Sequence, residues 1–160
     1  IQVTTNFLTL SNGGQFRASS FGKGDAGNIF INARDTFSVK GAEYNAIISG
    51  VFTTLEEQAQ GRGGNIDINT GSLSINGSGQ ISTSTLANGN AGDITINARE
   101  TINLDGKGRG NEVSGILSSV LTGASCNAGN TNIKAGNIRI SNSSGIEATT
   151  FAGTGGNVFL

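Results

Sequence analysis

Gly24-Asp25-Ala26-Gly27-Asn28-Ile29-Phe30-Ile31-Asn32-Ala33-Arg34-Asp35-Thr36 is followed, 65 residues on, by Gly89-Asn90-Ala91-Gly92-Asp93-Ile94-Thr95-Ile96-Asn97-Ala98-Arg99-Glu100-Thr101. The two stretches read alike position by position. The same shift carries Ser49-Gly50-Val51-Phe52 onto Ser114-Gly115-Ile116-Leu117, and Leu73-Ser74-Ile75 onto Ile138-Arg139-Ile140. Self-similarity at a fixed period is the signature of stacked repeats.

Each 65-residue unit holds two shorter ones. Gly followed by Asn or Asp opens them at Asn28, Asn65, Asp93, Asn130 and Asn157, at intervals of 37, 28, 37 and 27. The expected coils are therefore residues 1–27, 28–64, 65–92, 93–129 and 130–156, with 157–160 starting another.

Within a coil, short apolar/polar alternations recur. Coil 65–92 has Ile66-Asp67-Ile68, Leu73-Ser74-Ile75 and Gln80-Ile81-Ser82-Thr83. Period-two alternation marks strands with one buried face, and three short strands per coil are expected. Such runs are too short to bury their apolar faces alone. Stacking coils solves this by piling like residues into columns. The expected columns are Ile29/Ile66/Ile94 with Ile31/Ile68/Ile96; Leu8/Phe37/Leu73/Ile102/Ile138 with Leu10/Val39/Ile75/Leu104/Ile140; and Phe16/Val51/Ile81/Ile116/Ile146. Phe21, Leu86 and Phe151 are expected to close a corner. Asn32, Asn69 and Asn97 are expected to form an inward amide ladder. This is an all-β parallel β-helix, a single segment spanning 1–160. Both ends fall inside the repeat, so the segment is expected to continue in a longer protein.

Composition supports that reading. There are 26 glycines, no proline and no histidine, and charged residues make up 13%, against about 25% in an ordinary soluble domain. Proline interrupts β-ladders. A net charge of −1 with scattered Lys and Arg offers no basic stripe for nucleic acid. No run approaches the roughly 20 apolar residues of a spanning helix, so no membrane insertion is expected. Residues 1–5 have no signal-peptide pattern. The lone Cys126 cannot form an internal disulfide.

The long coils carry about seven extra residues after their second strand, at 40–46 and 105–112. These loops hold Lys40, Glu43, Tyr44, Asn45, Asp105, Lys107, Arg109, Asn111 and Glu112, including the only tyrosine. Two coils apart, they should leave one edge roughly 10 Å from each other. Loops on a rigid scaffold are where recognition concentrates, and these residues are the candidate recognition set. Solvated turn chemistry is the plainer reading of the same residues.

Catalytic readings are weaker. Asp35 and Glu100 share a column, but two coils place them near or beyond the roughly 6.5–9.5 Å of an inverting glycosidase pair. Gly22-Lys23-Gly24-Asp25-Ala26 has only part of a calcium-binding glycine-rich repeat, since Asn90 stands 65 residues after Asp25. Thr83/Thr85 and Thr149/Thr150 suggest an outward threonine array that Ala18 and Ser20 break. No cofactor, metal or enzymatic activity is expected.

Gly64-Asn65-Ile66-Asp67-Ile68-Asn69-Thr70-Gly71-Ser72-Leu73-Ser74-Ile75, Gly79–Thr85 and Ala91–Ile102 together resemble the repeats of large bacterial exoproteins related to filamentous haemagglutinin, passengers of two-partner secretion. The resemblance spans the chain through motifs of low information, and the family's amino-terminal secretion domain is not matched. It implies a right-handed β-helix, export through an outer-membrane partner, and a secreted, cell-surface location. An adhesive rod, whose edge loops meet a host-surface or matrix glycan or protein, is the leading expectation. A purely structural filament unit self-associating end to end, or a carbohydrate-active enzyme, are the alternatives.

Overall fold

A computed structural model describes residues 1–41, 47–106, 114–121, 124 and 126–160. All regular structure among them is β, without a helix. Strands β1 (Gln2–Leu10), β3 (Ile29–Lys40), β5 (Ile66–Asn76), β7 (Ile94–Asp105), β9 (Thr131–Ser141) and β11 (Val158–Phe159) form one sheet in that order. Strands β2 (Gln15–Ser20), β4 (Gly50–Leu55), β6 (Gln80–Thr85), β8 (Ser114–Val120) and β10 (Ser144–Thr150) form the second. Every pairing is parallel. The chain alternates between the sheets, and each full pass adds one strand to each.

The register follows the repeat. Ile29 pairs with Ile66 and Ile66 with Ile94; Ile31, Ile68 and Ile96 do the same. Leu8, Phe37, Leu73, Ile102 and Ile138 form a second column, and Leu10, Val39, Ile75, Leu104 and Ile140 a third. On the other sheet Phe16, Val51, Ile81, Ile116 and Ile146 line up. Side chains from both sheets merge into one apolar core. Each fully buried aliphatic chain there contributes roughly 1.5–3 kcal/mol.

Three expectations are corrected. The first two alternating runs of a pass are one strand, broken by a bulge, and not two. Ala33 pairs with Thr70 and Thr36 with Ser72, so Arg34-Asp35 stands opposite the single residue Gly71. The same two-against-one arrangement sets Arg99-Glu100 opposite Gly71 and, on the other side, Gly136. In β3 and β7 the inward positions keep one parity across the break, from Ile29 to Val39 and from Ile94 to Leu104. In β5 they shift from Ile66, Ile68 and Thr70 to Leu73 and Ile75, so every strand keeps apolar chains inward on both sides of it. Secondly, Phe21 and Phe151 do not close a corner; each is 74% exposed. Their sheet partner positions end with an inward residue such as Thr85, so the next side chain turns outward. Leu55, Ala59 and Ala87 fill one corner cluster, and Val120, Ala124 and Ala128 another. Thirdly, the Asn32/Asn69/Asn97 rank is outward: all three are exposed, although Asn97 Nδ2 donates to Asn69 Oδ1 at 3.1 Å. Thr83 and Thr85, by contrast, face inward and are buried.

Where the chain returns to the first sheet, Gly27, Gly64, Gly92, Gly129 and Gly156 form a column. A methyl group on any of the last four would overlap the carbonyl oxygen of the glycine before it. Only glycine permits that approach. Inward hydroxyls reach the same seam: Thr53 Oγ1 donates to the Gly64 carbonyl at 2.6 Å and Thr83 Oγ1 to that of Gly92 at 2.7 Å. The core is less regular one pass later. Buried Ser118 Oγ and Thr131 Oγ1 have no hydrogen-bond partner among the described residues, and Thr131 occupies the place of Ile29, Ile66 and Ile94.

Candidate functional site

The two long loops leave the first sheet from one rank of residues. Lys40 pairs with Asn76, Asn76 with Asp105 and Asp105 with Ser141. Lys40 and Asp105 thus sit on the same edge with a single strand between them, about 10 Å apart. Glu43, Tyr44, Asn45, Lys107, Arg109, Asn111 and Glu112 lie outside the described residues.

The loop roots are braced by neighbouring turns. Gly41 N–H donates to the Asn76 carbonyl at 2.7 Å and Gly106 N–H to that of Ser141 at 3.0 Å. A methyl on Gly41 would overlap the Ser78 backbone nitrogen, and one on Gly106 the Asn142 carbonyl oxygen. The short turns need left-handed backbone at Gly77 (φ 65°) and Asn142 (φ 53°), conformations that glycine and asparagine tolerate. Asn142 Nδ2 also donates to Asp105 Oδ1 at 2.7 Å, which fixes that carboxylate at the loop entrance. Lys40 is exposed. The site therefore offers a fixed acid at one root and a solvated base at the other. The glycine braces were not read from sequence; Gly41 and Gly106, each directly after the second run of a long unit, were the available signal.

A second feature runs beside the glycine column. The Oδ1 atoms of Asn28, Asn65, Asp93 and Asn130 accept the backbone N–H of Asn65, Asp93, Asn130 and Asn157, at 2.8, 2.9, 2.7 and 3.1 Å. A parallel row binds Asp25 Oδ1 to Arg62 N–H at 2.8 Å, Asn90 Oδ1 to Asn127 N–H at 3.1 Å and Asn127 Oδ1 to Thr154 N–H at 3.3 Å. Between the rows lies a shallow polar groove of about 570 Å³. Asn28, Asn65, Asp93 and Asn130, which mark each new pass in the sequence, thus also bond one pass to the next through their side chains. Asp25, the acid of the calcium-like stretch, is engaged in this way. No group of three or more acidic, His or Cys side chains able to hold a metal occurs among the described residues.

Asp67 lies on the outer face of β5, and its carboxyl is held above the usual carboxylate range. Partial burial is the larger cause and the nearby charge of Asp93 the smaller. Asp35 and Glu100 have separate partners. Arg34 Nε donates to Asp35 Oδ1 at 3.1 Å, which raises the Arg34 pKa through the hydrogen bond and then the charge. Glu100 Oε2 accepts from Ser72 Oγ at 3.0 Å. Cys126 is half-buried, with Sγ 3.7 Å from the Ala87 carbonyl oxygen. Among the described residues no helix is long and apolar enough to cross a membrane.

Set beside known proteins, the chain matches no protein-family model, no curated protein and no solved structure.

Proposed function

We propose that this chain is a segment of a right-handed parallel β-helix of about five coils, working outside the cell as a rod that presents its edge loops for attachment. The observation that carries the reading is the common rank of Lys40 and Asp105. Two insertions leave a repeated framework from one edge, while the interior columns remain apolar at most of their positions. A framework held this tightly spaces and orients what it displays, and its chemistry belongs to the displayed loops.

The resemblance to filamentous-haemagglutinin-like exoproteins supports the same role: secretion through an outer-membrane partner, a bacterial cell-surface location, and a host-surface or matrix glycan or protein as ligand. A non-catalytic role fits the one carboxylate pair considered for catalysis, since Asp35 is tied to Arg34 and Glu100 to Ser72.

The test is a glycan-array and cell-binding comparison of the chain with variants lacking residues 42–45 or 107–112. Loss of binding with unchanged thermal unfolding is the expected result. Binding that survives both deletions would reduce the segment to a spacer.

A further inference from the structure

We propose that the outer face of the first sheet binds a neutral hexose ring of a glycan, at a site built on Phe30 with Asn32, Asp67 and Asn69. Outward positions of a half-buried strand need no apolar side chain. The rank Gln2, Phe30, Asp67, Thr95 and Asn132 is polar everywhere except at Phe30, which is 47% exposed. Strands β1 and β5 pair with β3 on either side of it. The ring is therefore bare because it points outward from the sheet.

Hydrogen-bonding groups surround it. Gln2 and Asp67 flank Phe30 on the neighbouring strands, which run about 4.8 Å away. Asn32 follows on the same face of β3, with Thr4 and Asn69 beside it. Together they line a shallow hollow of about 140 Å³. Two of these groups have bonding capacity that the fold does not use. Asn69 Oδ1 accepts from Asn97 Nδ2 at 3.1 Å, which leaves the Asn69 Nδ2 group for another acceptor. Asp67 has no ion pair among the described residues, and its charged form is disfavoured by partial burial and by Asp93. A hydroxyl donating to that carboxylate would offset the penalty.

A hexose answers both features. One face of its ring presents C–H groups and lies flat on an aromatic side chain, and Phe30 supplies that surface. Hydroxyls on its rim both donate and accept, so one donates to Asp67 while its neighbour accepts from Asn69. Charge narrows the class. No Lys or Arg lines the hollow, and the Asp67 carboxylate repels uronic, sialic and sulfated sugars. An apolar peptide anchor would call for an enclosed apolar pocket, whereas the other outward side chains here are polar.

This inference goes beyond the attachment role and does not rest on it. Phe30 and Lys40 stand near opposite ends of β3 (Ile29–Lys40), roughly 30 Å apart. Deleting the edge loops therefore leaves this site intact. The test is an NMR titration of the isotope-labelled full chain with the methyl glycosides of glucose, galactose, mannose and N-acetylglucosamine, and with methyl glucuronide as the acidic counterpart. At least one neutral glycoside is expected to shift, saturably, the amides around Phe30, Asn32, Asp67 and Asn69. The glucuronide is expected to bind at least about fivefold more weakly. Phe30→Ala should weaken binding about tenfold, while Phe30→Trp should keep or tighten it and so separates loss of the ring from loss of the fold. No saturable shift with any neutral glycoside, shifts centred elsewhere, undiminished affinity in Phe30→Ala, loss of binding in a folded Phe30→Trp, or a glucuronide that binds as tightly would each overturn the proposal.

Discussion

Asn28 and Asn65 stand one above the other, and the side-chain oxygen of the first accepts the backbone N–H of the second at 2.8 Å. Asn65 repeats the act on Asp93 at 2.9 Å. Each side chain thus serves the pass after its own. Asn65→Ala removes one acceptor and is expected to cost about 1 kcal/mol in urea unfolding. Asn65→Asp keeps the oxygen and should lose clearly less. Equal losses for the two would show that the acceptor is not what matters.

The glycine column gives a sharper contrast. Gly92→Ala forces a methyl group onto the Gly64 carbonyl, and about 1–3 kcal/mol of destabilisation is expected from such overpacking. Gly27 begins the same column, and a methyl there meets only Ala18 Cβ at 3.6 Å, an ordinary contact. Gly27→Ala should fall within about 0.5 kcal/mol of the parent. Thermal unfolding of the two variants side by side decides whether position in the column, and not glycine itself, sets the cost.

Thr131 puts a buried hydroxyl without a partner among the described residues into a column of isoleucines. Burying an unpaired hydroxyl is unfavourable. Thr131→Val removes it at almost the same volume and should stabilise by about 1 kcal/mol. A destabilised variant would mean that the hydroxyl is satisfied in solution.

Asp67 provides a pH test. Its carboxyl binds a proton more tightly folded than unfolded, because burial and Asp93 both raise its pKa. Folding is therefore favoured while the group is protonated, and that contribution is lost as pH rises through the raised value. Asp67→Asn is expected to be more stable than the parent at pH 7, with the advantage shrinking below the ordinary carboxylate range of about 4. Melting temperatures of both proteins from pH 3 to 7 would reveal this, and a constant difference across the range would rule it out.

Much of the fold was legible because the repeat is strong at inward positions. Ile29, Ile66 and Ile94 must be alike, since each fills the same space between the same sheets, and their pairing followed from spacing alone. The bulge did not. Gly71 opposite Arg34-Asp35 changes the count by one residue without changing which side chains are apolar, so the pattern reads as two runs although the backbone is one strand. Phe21 and Phe151 misled for a related reason: a large apolar residue at a recurring place suggested burial, whereas strand parity turned it outward. At the site, the loops were identified as insertions, and the rank of Lys40 and Asp105 agrees with that. The braces at Gly41 and Gly106 depend on how closely the next turn approaches, a quantity that one-dimensional spacing does not contain.

The two-against-one bulge also bears on how such a gene could lengthen or shorten. Arg34-Asp35 and Arg99-Glu100 each meet a one-residue neighbour, Gly71 or Gly136, and two-residue bulges never adjoin. Excising residues 28–92 would bring Gly27 to Asp93 and preserve that alternation. Removing 28–64 alone would set Asn6 against Gly71, one residue against one, and the bulge at that step would vanish. Recombination between copies therefore keeps the alternation of bulges only in whole steps of 65.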